Sequence, residues 1–276
     1  MKKLFILLVL SLTSGVYTYA QNPKIVAHRG AWKNTHVPEN SIASLNQAIS
    51  QKVWGSEFDV QLTKDNILVV NHNDDFLGID IATSTYQELL AKKLENGESI
   101  PTLEAYIKEG MKQNDTKLVL ELKPSRLGKE YTLKATELTF KLVEELGAQE
   151  HVVYISFSYD ACLKLRELDS NAHIQYLAFQ MPKNVTEEQI QNPAFNQYMA
   201  GVKNVTELKT VSLSGFDYHT KLLIEKPELI KQAKDLGLAS NVWTANDEQE
   251  LRFFIDQNID YITTDEPELL KELLDK

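Results

Sequence analysis

The chain has 276 residues, of which 43% are apolar and 25% charged, and these proportions exclude a disordered, collagen-like or coiled-coil protein. Its single Cys excludes an internal disulfide framework and a zinc site built from cysteines. The 29 basic against 39 acidic residues give a formal charge of −10, which argues against nucleic acid or an anionic membrane as the main partner.

The first twenty residues have the three-part pattern of a secretory signal peptide. Lys2 and Lys3 form a positive start, residues 4–12 are almost entirely apolar, and Thr18-Tyr19-Ala20 supplies a suitable cleavage site. The apolar run is shorter than the roughly 20 residues of a membrane-spanning helix, so an uncleaved anchor is the less favoured alternative. We therefore predict a signal peptide over residues 1–20, export to the periplasm or secretion, and no stable membrane insertion after cleavage.

After residue 20, short apolar runs alternate with amphipathic stretches. Residues 25–28 and 56–62 predict the first two strands, and residues 67–70 predict a hairpin partner for the second. Helices are expected to begin near Ser41 and near Thr102, where helix-start residues precede apolar positions at helical spacing. Further strands are predicted at residues 117–121, 152–156, 174–178, 213–216, 238–243 and 261–263, with helical patterns between most of them.

Apart from the hairpin strand, eight strands alternate with helices over about 250 residues, the usual size of a (β/α)8 barrel. We predict a single-domain (β/α)8 TIM barrel over residues 21–276, with a small insertion after the second barrel strand. The alternative is a doubly wound open sheet, which normally has a glycine-rich turn after its first strand. Residues 27–30, Ala-His-Arg-Gly, do not have that pattern, so the barrel is favoured.

Charged and polar residues lie at the carboxyl ends of the first predicted strands. Glu57 and Asp59 are two apart in one strand, so their side chains leave the same face. In a parallel barrel these strand ends converge on one mouth, where catalysis is usually housed. Strand alternation also puts carboxylates on exposed faces, but this many charges at one mouth are costly unless a cation or substrate engages them. The predicted mouth residues are His28, Arg29, Glu57, Asp59, His72, Glu121 and Lys123.

The residue types at this mouth favour one kind of chemistry. Three carboxylates without a shell of cysteine or further histidine favour one hard divalent cation, Mg²⁺ or Ca²⁺, with Mn²⁺ also compatible. Two histidines beside such an ion supply a proton donor and a proton acceptor near neutral pH. Zinc is a further alternative, but zinc usually recruits as ligands the histidines that proton transfer would need here.

Several short motifs resemble those of glycerophosphodiester phosphodiesterases and follow that family's order through nearly the whole chain. Each motif alone is weak, but the ordered set is specific. The motifs are Ala27-His28-Arg29-Gly30, Pro38-Glu39-Asn40-Ser41, Glu57-x-Asp59-Val60, Thr63-x-Asp65, His72, Ile100-Pro101-Thr102-Leu103-Glu104, Glu121-x-Lys123, Ser156-Phe157, Trp243-Thr244-x-Asn246 and Thr263-Thr264-Asp265-x-Pro267.

The resemblance implies a (β/α)8 barrel that hydrolyses glycerophosphodiesters, as small-molecule substrates, to sn-glycerol 3-phosphate and an alcohol with a divalent cation. It also implies the role of each matching position. These are metal ligands Glu57, Asp59 and Glu121, an acid/base pair His28 and His72, a phosphate-binding Arg29, and Lys123 and Trp243 near the substrate.

Two departures from the family pattern concern substrate selection. Asn73 follows His72 where the family often has Asp, and residues 75–84 lack the Arg-Thr-Thr-Asn-Gly pattern common in relatives. In the family, the segment between His72 and Glu121 usually covers the mouth and shapes leaving-group selection. The resemblance therefore leaves the headgroup open.

Two other functions stay open. A phospholipase of a related barrel family, acting on phosphoinositide or sphingolipid headgroups, would need an apolar and preferably basic rim, which the acidic chain disfavours. A non-enzymatic phosphate-ester binding protein on the same barrel would be favoured by loss of a mouth histidine or carboxylate, and none of these is lost.

Overall fold

The computed structural model describes residues 22–180, 186, 191, 197–198 and 201–275. The predicted signal peptide, residues 1–20, lies outside the described residues. Within the described ranges, no helix has both the length and the apolar character needed to cross a membrane.

Eight of the strands form a closed parallel barrel, which confirms the predicted (β/α)8 architecture and excludes the open sheet. The strands of the described chain are β1 (Lys24–Ala27), β2 (Gly55–Leu62), β3 (Leu68–Val70), β4 (Asp75–Phe76), β5 (Ile79–Asp80), β6 (Lys117–Leu122), β7 (Val152–Ser156), β8 (His173–Ala178), β9 (Gly215–His219), β10 (Ala239–Trp243) and β11 (Tyr261–Thr264). β1 pairs in parallel with both β2 and β11, so the first and last strands are neighbours and no barrel edge is left open.

Helices follow most of the barrel strands and cover the outside of the barrel. In the described residues they are α1 (Ile42–Ser50), α2 (Tyr86–Leu89), α3 (Leu103–Gly110), α4 (Lys129–Glu145), α5 (Tyr159–Leu168), α6 (Val205–Thr210), α7 (Thr220–Glu225), α8 (Glu228–Asp235), α9 (Glu248–Asp256) and α10 (Pro267–Leu274). A short 3₁₀ helix, Gln149–His151, precedes β7.

The expected helix starts near Ser41 and Thr102 are confirmed by their capping bonds. The Ser41 hydroxyl accepts a hydrogen bond from the Ser44 N–H at 3.0 Å, and the Ser44 hydroxyl accepts from the Ser41 N–H at 3.2 Å. The Thr102 hydroxyl accepts from the Ala105 N–H at 3.2 Å. These caps fix the first residues of two helices: α1, which follows the loop after β1, and α3, which follows the insertion.

Each barrel strand has one face toward the helices and one toward the barrel interior. On β2, Phe58 and Val60 join the core between barrel and helices, and the Phe58 ring lies 4.3 Å from the Tyr106 ring of α3. Truncating a buried aromatic such as Phe58 to Ala would cost about 3–5 kcal/mol of unfolding free energy. Because successive side chains alternate, Glu57 and Asp59 point to the interior instead.

Residues 63–102, between β2 and α3, form the predicted insertion. β3 pairs antiparallel with β2, as expected for residues 67–70, and β4 and β5 form a separate two-stranded hairpin. Phe76, Ile81, Leu89 and Ile100 give the insertion a small apolar core of its own. The insertion therefore forms a small packed unit beside the carboxyl end of β2.

The sixth predicted barrel strand is displaced. The sequence predicted residues 213–216, but β9 runs over Gly215–His219, while Leu213 packs in the core before the strand. The strand continues past Asp217, a carboxylate of a kind that is rarely fully buried. In the structure Asp217 is buried, only 1% exposed, and neither carboxylate oxygen has a hydrogen-bond partner among the described residues.

Candidate metal centre and active site

Three buried carboxylates come together at the carboxyl ends of β2 and β6. Asp59 and Glu121 are direct neighbours in the parallel pairing of these strands, and Glu57 lies two residues before Asp59. One oxygen from each of the three carboxylates lies within 4.8 Å of the others. The two-residue spacing and the strand register together produce this cluster, because both direct side chains into the same end of the barrel.

The local backbone holds two of these carboxylates in place. The Arg29 N–H donates to Glu57 Oε2 at 2.8 Å, and the Asn40 side-chain amide donates to Asp59 Oδ2 at 2.8 Å. Arg29 and Asn40 both have positive φ, near 55°, a region that non-glycine residues rarely adopt. Gly30 follows with φ 82°, where a Cβ would collide with Ser44 of α1. The turn after β1 is thus shaped to bring backbone and amide donors to the carboxylates.

Burial and mutual repulsion shift the ionisation of the cluster. Burial, then the charges of Asp59 and Glu121, raise the pKa of Glu57 well above its usual value. Burial likewise raises the pKa of Glu121 to about 7, although Lys123 opposes the shift. Burial alone would raise the pKa of Asp59 too, but Lys123, His72, Arg29 and the Asn40 hydrogen bond together lower it. This cluster therefore lacks the positive charge needed to keep all three groups ionised.

Two cationic side chains approach the cluster. The Lys123 ammonium lies 3.1 Å from Asp59 Oδ1 and 3.0 Å from Glu121 Oε1. Burial would lower the pKa of Lys123, but these two carboxylates raise it well above its usual value. Arg29 places Nε 3.8 Å from Asp59 Oδ2, while its Nη1 donates to both oxygens of Glu39 at 2.9 Å. Arg29 and Lys123 are therefore both held at the mouth where the sequence predicted them.

His28 is fixed from the opposite end of the chain. Its Nδ1 lies 2.7 Å from Asp265 Oδ1, and Asn246 donates to the other Asp265 oxygen at 2.6 Å. Burial would raise the pKa of Asp265, but the hydrogen bond and charge of His28 and the Asn246 amide lower it. The ionised carboxylate can only accept, so Nδ1 carries a proton and Nε2 is the nitrogen left for the mouth.

His72 is held differently, on the loop after β3. Its Nδ1 donates to the side-chain oxygen of the adjacent Asn73 at 2.9 Å. Burial, then the charges of Lys123 and Arg29, lower the pKa of His72, and Asp59 only partly offsets them. The imidazole is thus kept uncharged, with Nε2 able to accept a proton.

An aromatic wall is formed where β7, β9 and β10 end. Trp243 packs edge-on against Phe157 at 5.3 Å and His219 at 5.0 Å, measured between ring centroids. Phe157 also lies 4.8 Å from the ring of Tyr198, which interacts electrostatically with Lys123. Trp243, predicted near the substrate, therefore belongs to a wall that reaches Lys123 through Phe157 and Tyr198.

The carboxylate cluster fits a divalent cation. Glu57 Oε1 is buried and has no hydrogen-bond partner among the described residues, so a potential ligand atom is left free. All donors in the cluster are carboxylate oxygens, the ligands that hard cations such as Mg²⁺, Ca²⁺ and Mn²⁺ prefer. The cluster therefore suits a divalent cation, without indicating which one.

The sequence resemblance is confirmed by comparison with known proteins. The model of the glycerophosphoryl diester phosphodiesterase family matches residues 28–269, which include every predicted site residue. The chain belongs to this family. Its members are phosphoric diester hydrolases, so the predicted enzyme class is confirmed as well.

Three relatives illustrate the match to the glycerophosphoryl diester phosphodiesterase family, and each aligns along nearly its whole length. The glycerophosphodiester phosphodiesterase of Caldanaerobacter subterraneus subsp. tengcongensis is 27% identical over 269 residues, 91% of this chain and 98% of that protein. The crystal structure of a glycerophosphodiester phosphodiesterase from Parabacteroides distasonis is 37% identical, covers 92% of this chain and 97% of its own, and has a TM-score of 0.80. An Oleispira antarctica phosphodiesterase, solved with the product sn-glycerol-3-phosphate, shares the fold at 23% identity, with a TM-score of 0.72 and coverage of 92% and 98%.

Sequence reasoning missed several residues of this phosphodiesterase-family site. Asp265 and Asn246 stood in recognised motifs, but neither was given a role, since Asp265 binds His28, 237 residues away in sequence, and Asn246 acts only through Asp265. Asn40 was expected only at a helix start, yet its amide binds Asp59. Tyr198 gave no signal, because residues 182–210 matched no clear element. Only the closure of the barrel brings these positions to the mouth.

Proposed function

We propose that this protein hydrolyses glycerophosphodiesters to sn-glycerol 3-phosphate and an alcohol, with one divalent cation held by Glu57, Asp59 and Glu121. The observation that carries the proposal is the set of three buried carboxylates within 4.8 Å at the mouth of the barrel. Family membership supports the same reaction, as does the sn-glycerol-3-phosphate product bound to the Oleispira antarctica phosphodiesterase.

Charge complementarity supports an anionic phosphodiester as the substrate. A divalent cation bound by the three carboxylates would supply Lewis-acid stabilisation of the charge that develops on phosphate oxygens. Arg29 and Lys123 would add two fixed positive charges, and their ion pairs with Glu39, Asp59 and Glu121 keep both side chains oriented. These cations reverse the negative field of the acidic protein where the phosphate must bind.

The two histidines would divide proton transfer between them. His72, kept uncharged by burial and by neighbouring cations, suits the base that removes a proton from the nucleophile. His28 donates through Nδ1 to the Asp265 carboxylate, which orients the ring and leaves Nε2 for the substrate. With His72 as the base, His28 is the other imidazole of the pair and would protonate the departing alkoxide at Nε2. Each such transfer contributes about 10²–10⁴-fold to the rate.

Two nucleophiles fit this arrangement: water, or the glycerol hydroxyl next to the phosphoester. Attack by the hydroxyl would give a cyclic phosphate that water then opens, with His28 and His72 exchanging their acid and base roles. We favour the hydroxyl, because it is already part of the bound substrate and needs no separate binding event. A glycerophosphodiester whose adjacent hydroxyl is replaced by hydrogen should then be turned over poorly.

A metal-dependence assay tests the proposal. The purified protein is stripped with EDTA and incubated with glycerophosphocholine, and sn-glycerol 3-phosphate is measured after adding back Mg²⁺, Ca²⁺ or Mn²⁺. Product should be absent after chelation and restored by at least one ion. Glu57→Gln should need a higher metal concentration, while the exposed Glu150→Gln serves as a matched control. Undiminished hydrolysis after chelation would remove the metal from the proposal.

The same preparation separates the rival functions. Binding of glycerophosphocholine without turnover under any metal would favour a binding protein. Hydrolysis only of phosphoinositide or sphingolipid vesicles, with co-sedimentation of the protein, would favour a phospholipase.

We also propose that the protein is exported. The positive start at Lys2 and Lys3, the apolar run and the cleavage site support removal of residues 1–20. The amino-terminal sequence of the protein recovered from a cell fractionation should begin at Gln21. An intact Met1 in the cytoplasmic fraction would contradict export.

A further inference from the structure

The loop that carries His72 is held by hydrogen bonds from side-chain amides. Residues 71–74 connect β3 to β4, and Asn73 and Asp74 in this loop are exposed to solvent. Burial of apolar side chains therefore does little to fix the loop, and polar contacts to its backbone take that part. The position of the His72 ring depends on them.

Three of these contacts come from Gln61 on β2. Its side-chain amide donates to the Asn71 carbonyl at 2.9 Å, to the His72 carbonyl at 3.2 Å and to the Asn73 carbonyl. Carbonyl oxygens can only accept, so it is the amide nitrogen of Gln61 that faces the loop. The two hydrogens of this amide are shared among three successive carbonyls, and the loop curls around a single side-chain group.

A second amide attaches the same loop from within. The Asn71 side chain donates to the Asn73 carbonyl at 2.7 Å and to the Asp75 carbonyl at 3.1 Å. The Asn71 backbone N–H donates to the Asp59 carbonyl at 3.0 Å. The loop is thus attached to β2 at two points, residues 59 and 61.

Gln61 connects the loop to the strand that supplies two of the three carboxylates. Glu57, Asp59 and Gln61 are each two residues apart on β2, so their side chains leave the same face of the strand. At about 3.3 Å per residue, Gln61 lies about 7 Å beyond Asp59 toward the carboxyl end of the strand. One rigid strand therefore sets both the carboxylate cluster and the backbone of His72.

We infer that Gln61 is a positioning residue for proton transfer by His72. This inference rests on the proposed function, in which His72 exchanges a proton with the substrate. Gln61 acts through the backbone of His72 and need not contact the cation or the diester. A displacement of about 1 Å in a reacting group can lower a rate about 10²-fold, so a loosely held loop would be costly.

The first test measures kcat and KM for glycerophosphocholine. Gln61→Ala should lower kcat by about tenfold or more and change KM by less than about twofold, because the groups that bind the substrate remain. Gln61→Glu keeps the size of the side chain but places a carboxylate opposite three carbonyls, so it should lower kcat at least as much. The exposed Gln87→Ala removes a glutamine amide elsewhere in the insertion and should keep the wild-type values. Wild-type kcat in both Gln61 variants would overturn the inference.

A double-variant cycle separates positioning of His72 from general damage to the site. In the His72→Ala background there is no ring to position, so adding Gln61→Ala should change the residual kcat by less than about twofold. A loss of about tenfold in both backgrounds would mean that Gln61 supports the site independently of His72, and the inference would be wrong.

Metal binding gives a readout that does not depend on turnover. Because Gln61 lies two residues after Asp59, a substitution that distorted β2 would also weaken the cation site. The Kd for Mn²⁺, measured by electron paramagnetic resonance, should stay within about twofold of wild type in Gln61→Ala and should rise in Glu57→Gln. A Kd raised by about tenfold in Gln61→Ala would assign the lost activity to the strand instead of the loop, and would contradict the inference.

Hydrogen exchange separates failure of this inference from failure of the proposed function. NMR should show the Gln61 Nε2 protons exchanging with solvent about tenfold more slowly than those of Gln87, because they are bonded to carbonyls. Slow exchange in a protein that hydrolyses no diester would confirm the bonds from Gln61 to the loop but remove the proposed function, and with it the catalytic role of these bonds. Exchange as fast as that of Gln87 would overturn the inference in an active protein as well.

Discussion

His28 and His72 are the two proposed proton-transfer residues, but the two regions that carry them are built differently. His28 directly follows the barrel strand β1, and its ring is bound to Asp265, which Asn246 holds in turn. His72 follows the edge strand β3, and its Nδ1 donates to the side chain of the neighbouring Asn73. Burial, then the positive charges of Lys123 and Arg29, lower the pKa of His72. One imidazole is thus supported by an anion and the other is kept uncharged by cations. Opposite surroundings of this kind are how one site provides both an acid and a base.

Removal of either ring should have the largest effect. His28→Ala and His72→Ala should each lower kcat by about 10²–10⁴-fold, because each deletes one proton-transfer group. His151→Ala, on the 3₁₀ helix before β7, is the matched control and should keep full activity. Circular dichroism should show all three variants folded. Near-wild-type activity in either mouth variant would remove that histidine from the acid/base pair.

The anchors of the two rings should matter unequally. Asp265→Asn should lower kcat by about 10–10²-fold, with little change in KM, because it removes the anion that orients the His28 ring. Asn73→Ala should cost less than about fivefold, since only one neutral hydrogen bond to His72 is lost. Equal losses of kcat in Asp265→Asn and Asn73→Ala would contradict the difference between the two regions.

The cations near His72 should set the acid limb of the pH profile. Because Lys123 lowers the pKa of His72, Lys123→Met should raise it, and the loss of kcat/KM on acidification should begin about half a pH unit higher or more. The profile is measured at saturating metal, so that a change in metal affinity on loss of Lys123 does not hide the shift. The exposed Lys52→Met should leave the limb in place. A limb that moves to lower pH would contradict the assigned role of Lys123.

Asp217 is a buried carboxylate outside both histidine regions. Its replacement tests whether such a group only lowers the free energy of unfolding. Burial, with a smaller effect of Glu121, raises its folded-state pKa well above its usual value. The folded protein then holds this proton more tightly than the unfolded chain, so the free energy of unfolding falls as pH rises from about 4 through the folded-state pKa. Asp217→Asn should remove that slope and add about 1–3 kcal/mol at pH 8.

Chemical denaturation at pH 5 and pH 8 measures the effect. The matched exposed variant Asp115→Asn should change the unfolding free energy by less than about 0.5 kcal/mol at both values. A destabilised Asp217→Asn protein would mean that the charged carboxylate has a favourable partner in the folded state.

The parts of the site that lie on neighbouring strands could be predicted from sequence. Glu57, Asp59 and Glu121 were expected together because strand alternation and parallel pairing fix their faces and their end of the barrel. Apolar runs likewise gave the barrel strands to within a residue or two, except for β9. There Asp217 interrupts the apolar pattern, so the strand was ended too early.

Contacts between distant segments could not be predicted. The bond from His28 to Asp265 joins residues 237 apart, and it depends on how β1 meets β11 rather than on any local pattern. A cavity of about 630 Å³ between residues 32–40 and the insertion likewise depends on how these two distant segments face each other. Ion pairs such as Lys123 with Asp59 required side-chain positions as well as strand register.

The adjacency of β1 and β11 has a consequence for how the enzyme comes into being. Asp265 is synthesised 237 residues after His28, and its carboxylate orients the His28 ring. A truncated or nicked product that stops before Asp265 would keep every carboxylate of the cluster, yet would hold His28 without its anion. Full turnover would therefore report that synthesis had passed Asp265 and that β1 and β11 had paired.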